Sequence, residues 1–206
     1  MNCISCEDKE CYQGKDCFGL AKKIKKMKFS SETLKMIKVA SKIEAEYYMK
    51  SPRLKELIDF CQRMDYKKLG LAFCIGLSEE ASLLGQILQR NFKVYPACCK
   101  IGGIDKRYYH LPKISSQRYE AMCNPVGQAL FLNKLKVDLN IICGLCIGHD
   151  ILFTKESRAP VTTFIVKDRV LAHNPAGALY SKYHRDKFTQ KNLCSLQDIT
   201  SQQILL

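Results

Sequence analysis

The rhythm of apolar and polar positions changes along the chain. Leu34, Ile37, Ala40, Ile43 and Tyr47 recur every three or four residues, which predicts one face of a helix, with Ser31-Glu32 ahead of them as a cap. Leu54, Leu57, Ile58, Cys61 and Met64 predict a second helix, opened by Ser51 with Pro52 at its first position. From Lys68 onward the pattern becomes short apolar runs separated by helical stretches. Leu69–Ile75 reads as a strand, followed by a helix from Ser78-Glu79-Glu80 to about Arg90. Phe92–Ala97 is the next strand, Cys123-Asn124-Pro125 opens a helix to about Leu135, and Leu139–Ile147 is a continuous apolar run that predicts a buried strand. Val161–Val166, rich in β-branched residues, is a fourth strand, and His173-Asn174-Pro175 opens a helix toward Tyr183.

Apolar strands alternating with helices predict an α/β fold: a doubly wound, mostly parallel sheet of about four or five strands, preceded by two N-terminal helices. The expected organisation is a small cysteine-rich metal module with a basic connector over residues 1–28 and an α/β domain over 29–206. Two short echoes stand out. Cys74-Ile75-Gly76-Leu77 resembles Cys146-Ile147-Gly148-His149, and Cys123-Asn124-Pro125 resembles His173-Asn174-Pro175. Their unequal spacing favours similar turns over duplication.

The 206 residues are 47% apolar, enough to bury a core, yet no apolar run approaches the ~20 residues that a membrane span needs. The N-terminus lacks the basic-then-apolar order of a signal peptide, so the expected location is the cytoplasm, with no membrane association. That placement governs the reading of 12 cysteines, because disulfides rarely persist in a reducing compartment and clustered thiols there point to metal or redox chemistry. Net charge is +13, but the lysines are scattered and no nucleic-acid motif accompanies them, so nucleic acid is not the expected partner.

Cys3, Cys6, Cys11 and Cys17 lie in a segment too poor in apolar residues to fold by packing. Four thiolates at this spacing are expected to hold zinc or an iron–sulfur cluster, whose binding would supply the missing folding free energy. A second group is gathered by topology, since ligands of open α/β sheets bind beyond the carboxyl ends of the strands. Cys74, Cys98, Cys99 and Cys146 follow strand ends and are expected as metal ligands or reactive thiolates. Cys123, just ahead of a helix start that favours thiolate, is the expected catalytic thiol. His149 is expected as a ligand or proton carrier, with His173 a weaker candidate, and Asp105 and Asp150 are possible acid or base groups nearby. Cys61, on an apolar helix face, and Cys143, within a strand, read as core; Cys194 stands alone.

The runs Leu71-Ala72-Phe73-Cys74-Ile75-Gly76-Leu77-Ser78-Glu79-Glu80-Ala81, Cys98-Cys99-Lys100-Ile101-Gly102-Gly103, Met122-Cys123-Asn124-Pro125, Gly144-Leu145-Cys146-Ile147-Gly148-His149-Asp150 and Lys167-Asp168-Arg169-Val170-Leu171-Ala172-His173-Asn174-Pro175 together resemble an uncharacterised cysteine-rich family labelled metal-binding, found mainly in anaerobic bacteria and archaea. The family carries the designation domain of unknown function eighteen-forty-seven. The resemblance spans nearly the whole chain and implies metal binding in an anaerobic setting, without a reaction. The combined expectation is a metal- or iron–sulfur-binding protein that handles redox equivalents or sulfur, with a cysteine-lined site at the sheet's C-terminal rim and up to two separate centres. Its expected partner is a redox protein or a small anionic or sulfur substrate. The alternatives are a zinc-stabilised binding module for nucleic acid or an acidic partner, and a metal storage or sensing protein.

Overall fold

The computed structural model describes residues 2–189, and the chain divides after Ser51 into two compact units. Cys194 lies outside the described residues. In the first unit a 3₁₀ turn spans Glu10–Gln13, followed by helices α1 (Ala21–Lys25) and α2 (Ser31–Tyr47). The cap of α2 is Ser30, one residue earlier than expected, because its hydroxyl accepts the Thr33 N–H at 3.1 Å. None of residues 2–20 is buried.

The second unit is the α/β domain. Helix α3 (Arg53–Arg63) begins after Pro52, whose extended backbone places it just outside the helix. Then follow β1 (Lys68–Phe73), α4 (Ser78–Gln89), β2 (Lys93–Cys98), α5 (Pro125–Leu135), β3 (Leu139–Cys143), α6 (His149–Glu156), β4 (Val161–Ile165), α7 (Ala176–Tyr180) and α8 (Lys182–Thr189). The four strands are parallel, in the order β2-β1-β3-β4. This is the doubly wound α/β class expected from the sequence. From β1 the chain steps one way to β2, then crosses back over β1 to β3. Right-handed crossovers therefore put α4 on one face and α5 on the other. The switch point opens at the carboxyl ends of β1 and β3.

Registered neighbours in a parallel sheet share a face, so the faces can be assigned residue by residue. Leu71 lies against Gly85 of α4, and its partners Pro96 and Ile141 lie on that side. Phe73, Cys98 and Cys143 follow two residues on, on the same face. Gly70, Ala72 and Ala97 face α5. Pro96, which has no N–H to donate, is tolerated because β2 is an edge strand. β3 is fully buried but stops at Cys143 rather than running on to Ile147, because Gly144 turns the chain at φ +68°. α6, which the apolar rhythm does not predict, fills the crossover from β3 to β4. Only Phe153 of its eight residues is buried, which explains why the rhythm is weak. No helix among the described residues is long and apolar enough to cross a membrane.

Asn140, fully buried in β3, donates to Ser157 Oγ at 2.7 Å across the loop that leads into β4. Its side chain occupies the space that a Cβ on Gly70 would need: such an atom would sit 2.0 Å from Asn140 Oδ1 and 3.0 Å from Leu132 Cδ1. Gly70→Ala is therefore expected to overpack the sheet and to destabilise the domain by about 1–3 kcal/mol. A urea titration should show a lower midpoint with native circular dichroism at zero denaturant.

Candidate functional site

The site grows from the ends of β1 and β2. Phe73 and Cys98 are registered, and Cys99 N–H continues the ladder by donating to Phe73 O at 2.8 Å. Cys74 and Cys99 are thus lateral neighbours on the α5 side. Buried Gln128 of α5 locks these strand ends, donating to Ala97 O at 2.6 Å and Phe73 O at 3.2 Å. Cys123 arrives from the other side. Asn124 N–H donates to Cys99 O at 2.8 Å, Asn124 Nδ2 donates to Ile101 O at 3.3 Å, and Asn124 Oδ1 caps α5 by accepting Gly127 N–H at 2.8 Å. One asparagine therefore starts the helix and holds Cys123 beside Cys99.

The result is a chain of three sulfurs. Cys99 lies between Cys74 and Cys123, near enough to each for the three to govern one another's ionisation. Each outer sulfur has its own ammonium: Lys167 Nζ donates to Cys74 Sγ at 2.9 Å, and Lys100 Nζ to Cys123 Sγ at 3.5 Å. Lys167 Nζ passes close to Gly76, where a Cβ would come within 3.1 Å of it. The same Lys100 Nζ donates to Ala121 O at 2.7 Å. Cys99 Sγ also accepts the Ile75 N–H at 3.4 Å.

These contacts divide the protons. The neighbouring Cys99 thiol is the largest influence holding Cys74 well below the ordinary thiol range, and Lys167 and the Gly76 N–H add to it against burial. Cys123 is lowered likewise, first by Cys99, then by Lys100 and the nearby charge of His149. Cys99 is pushed the other way, because ionising it would set three negative sulfurs side by side in a site where it is 2% exposed. The lysines thus favour negative charge on Cys74 and Cys123, and burial between them disfavours it on Cys99. Cys74 is 6% exposed and Cys123 is half-buried, so Cys123 is the thiolate that solvent reaches.

Of the other expected site residues, Cys146 is half-buried at the same rim, with Arg169 Nη2 donating to its sulfur at 3.0 Å. His149 is the first residue of α6, within electrostatic reach of Cys123. Cys98 is half-buried on the α4 face and has no place in the sulfur chain. His173 is turned back into its own loop, where its Nδ1 accepts the Asp168 N–H at 3.1 Å. Asp105 pairs with Arg107, which holds its carboxyl down to about 2, and Asp150 caps its own neighbour, Ile151 N–H, at 2.8 Å. Cys61 and Cys143 are core, and burial raises their thiols to about 12 and about 11. In the first unit Cys3 and Cys11 are exposed and Cys6 and Cys17 half-buried, with Cys6 Sγ donating to Asp8 Oδ1 at 3.1 Å.

Thiolates suit a soft metal, but among the described residues no three His, Cys, Asp or Glu side chains are arranged to close on one metal ion. At the rim, Cys74 and Cys123 each have a lysine within hydrogen-bond reach. The residues that sequence reading missed are the cations. Lys167 and Arg169 follow β4 as Lys100 follows β2, and position after a strand end is the signal that could have found them.

Fold and site together define a doubly wound α/β protein with clustered thiols at the carboxyl ends of β1 and β2. The chain belongs to a protein family of unknown function, DUF1847, whose match spans residues 12–164. It is 56% identical over 191 residues, 92% of this chain and 99% of the relative, to an uncharacterized protein of Methanocaldococcus jannaschii. No solved structure matches it. The family match takes in every thiol of the rim and ends before Lys167 and Arg169.

Alkylation of Cys123 by iodoacetamide is expected to reach half its maximal rate at a pH well below the ~8.5 of an unperturbed thiol. The Cys99→Ala change should move that midpoint up furthest and Lys100→Met by less, read by mass mapping of the Cys123 peptide across a pH series.

Proposed function

We propose that this protein is a redox or sulfur-handling protein that works through thiolates at the C-terminal rim of its sheet, with Cys74, Cys99 and Cys123 as the working sulfurs. The observation that carries this reading is the line of three sulfurs with one lysine on each outer member. A buried structural cysteine needs no cation, and Cys61 and Cys143 have none bonded to sulfur. A nucleophilic or redox thiol needs its thiolate form, and a lysine beside each of Cys74 and Cys123 favours it. Positive charge at the rim, from Lys100, Lys167 and Arg169, favours an anionic sulfur substrate. The cytoplasm, where thiols stay reduced between turnovers, is the setting this chemistry requires.

A metal centre in the first unit is a second proposal with its own support. Cys3, Cys6, Cys11 and Cys17 sit in a stretch with no buried residue, so ligand binding is the available source of folding free energy.

Both readings are tested on protein purified without oxygen. Equilibration with dithiothreitol redox buffers should convert Cys74, Cys99 or Cys123 reversibly between thiol and disulfide, while Cys61 and Cys143 stay reduced. Rim thiols that never change would overturn the first reading. Iron with acid-labile sulfide, retained when Cys3, Cys6, Cys11 and Cys17 are all changed to serine, would replace it with a cluster at the same rim. Metal lost in that quadruple variant is the result expected for an N-terminal centre, and metal-free wild type would overturn it.

A further inference from the structure

Resting on the thiol reading just given, we infer that the centre reduces small anionic disulfides, with Cys123 as the attacking thiol, Cys99 as the resolving thiol and Cys74 as the base that frees it. The geometry assigns the roles. Cys123 is half-buried and reached from solvent, whereas Cys74 and Cys99 are buried, so a substrate sulfur meets Cys123 first. Cys99 is the next sulfur inward, held there by the Asn124 N–H to Cys99 O bond. Cys74 lies beside it at the end of the adjacent strand, where Cys99 N–H donates to Phe73 O at 2.8 Å and Ile75 N–H donates to Cys99 Sγ at 3.4 Å. Cys98, although next in sequence, is on the opposite face of β2.

In the first step the Cys123 thiolate attacks one sulfur of a disulfide R–S–S–R. A Cys123–S–S–R bond forms and R–S⁻ departs with the electron pair of the broken bond. Consuming the Cys123 thiolate removes one of the two negative charges that kept Cys99 protonated. The Cys99 proton then passes to the neighbouring Cys74 sulfur, which Lys167 helps to hold as thiolate. Cys99 attacks Cys123 Sγ, the second R–S⁻ departs, and the products are a Cys99–Cys123 disulfide, a neutral Cys74 thiol and two R–S⁻. Two negative charges enter and two leave, and the substrate disulfide is reduced by two electrons taken from the cysteine pair. Lys100 loses its thiolate partner in the first step and faces the mixed disulfide, where it offers a charge to an anionic R group. Lys167 stays on Cys74 and moderates its basicity.

The test uses the anionic aromatic disulfide 5,5′-dithiobis(2-nitrobenzoate) with the full-length, metal-free chain at about pH 6, where unperturbed thiols are almost wholly protonated. Peptide mapping is expected to find a Cys99–Cys123 disulfide in the wild type and in Cys98→Ser, with no aryl adduct left on Cys123. In Cys99→Ser the aryl adduct on Cys123 should persist, and one thiolate fewer should be released. In Cys74→Ser the adduct should form at the wild-type rate and resolve at least about tenfold more slowly. A persistent Cys123 adduct in the wild type would overturn the resolving role while leaving a reactive thiolate centre. A Cys123 that does not react at all would overturn the thiol reading beneath it. A disulfide lost in Cys98→Ser, or an adduct cleared in Cys99→Ser, would give the resolving role to another cysteine. Unchanged resolution in Cys74→Ser would remove the base. Because the disulfide is mapped first in unaltered protein, a variant that fails to fold does not remove the test.

Discussion

The register of β1 against β2 is the constraint from which the site follows. Setting Phe73 opposite Cys98 sends those two residues to the α4 face and leaves Cys74 and Cys99 side by side beneath α5. A slip of one residue would put Cys98 in that position and bury Cys99 on the wrong face. Gln128 and Asn124 hold the arrangement from the helix side, one gripping the strand-end carbonyls and the other the carbonyl of Cys99 itself. The overpacking expected of an alanine at Gly70 expresses the same tightness one turn of the pleat further down.

Three sulfurs in a row cannot all be charged in a buried site, and that electrostatic limit sets the chemistry. An ammonium within reach of Cys74 and of Cys123 favours charge on those two sulfurs, and burial between them disfavours it on Cys99.

Most of the fold was legible in the sequence because apolar strands and helix starts carry local signals. β1, β2, α4 and α5 fall within a residue or two of where pattern and caps put them. β3 was read too long, because Gly144 looks like any other small residue until its positive φ is seen. α6 was missed because the crossover it fills asks it to bury a single phenylalanine. The Cys123 and His173 echo resolves as two unlike turns: Asn124 caps α5 with its side chain, whereas the corresponding loop at Asn174 is held by His173 and Asp168.

The sequence by itself determined the α/β class, the carboxyl rim as the place where chemistry-bearing residues gather, and the core assignment of Cys61 and Cys143. These depend on hydrophobic period and chain direction, which are local and additive. Only the tertiary structure decided which thiols touch, which stays protonated and which cation serves which sulfur. Those depend on strand register and on the reach of Lys100, Lys167 and Arg169 from loops that are distant in the chain, and no local pattern encodes a distance across a sheet.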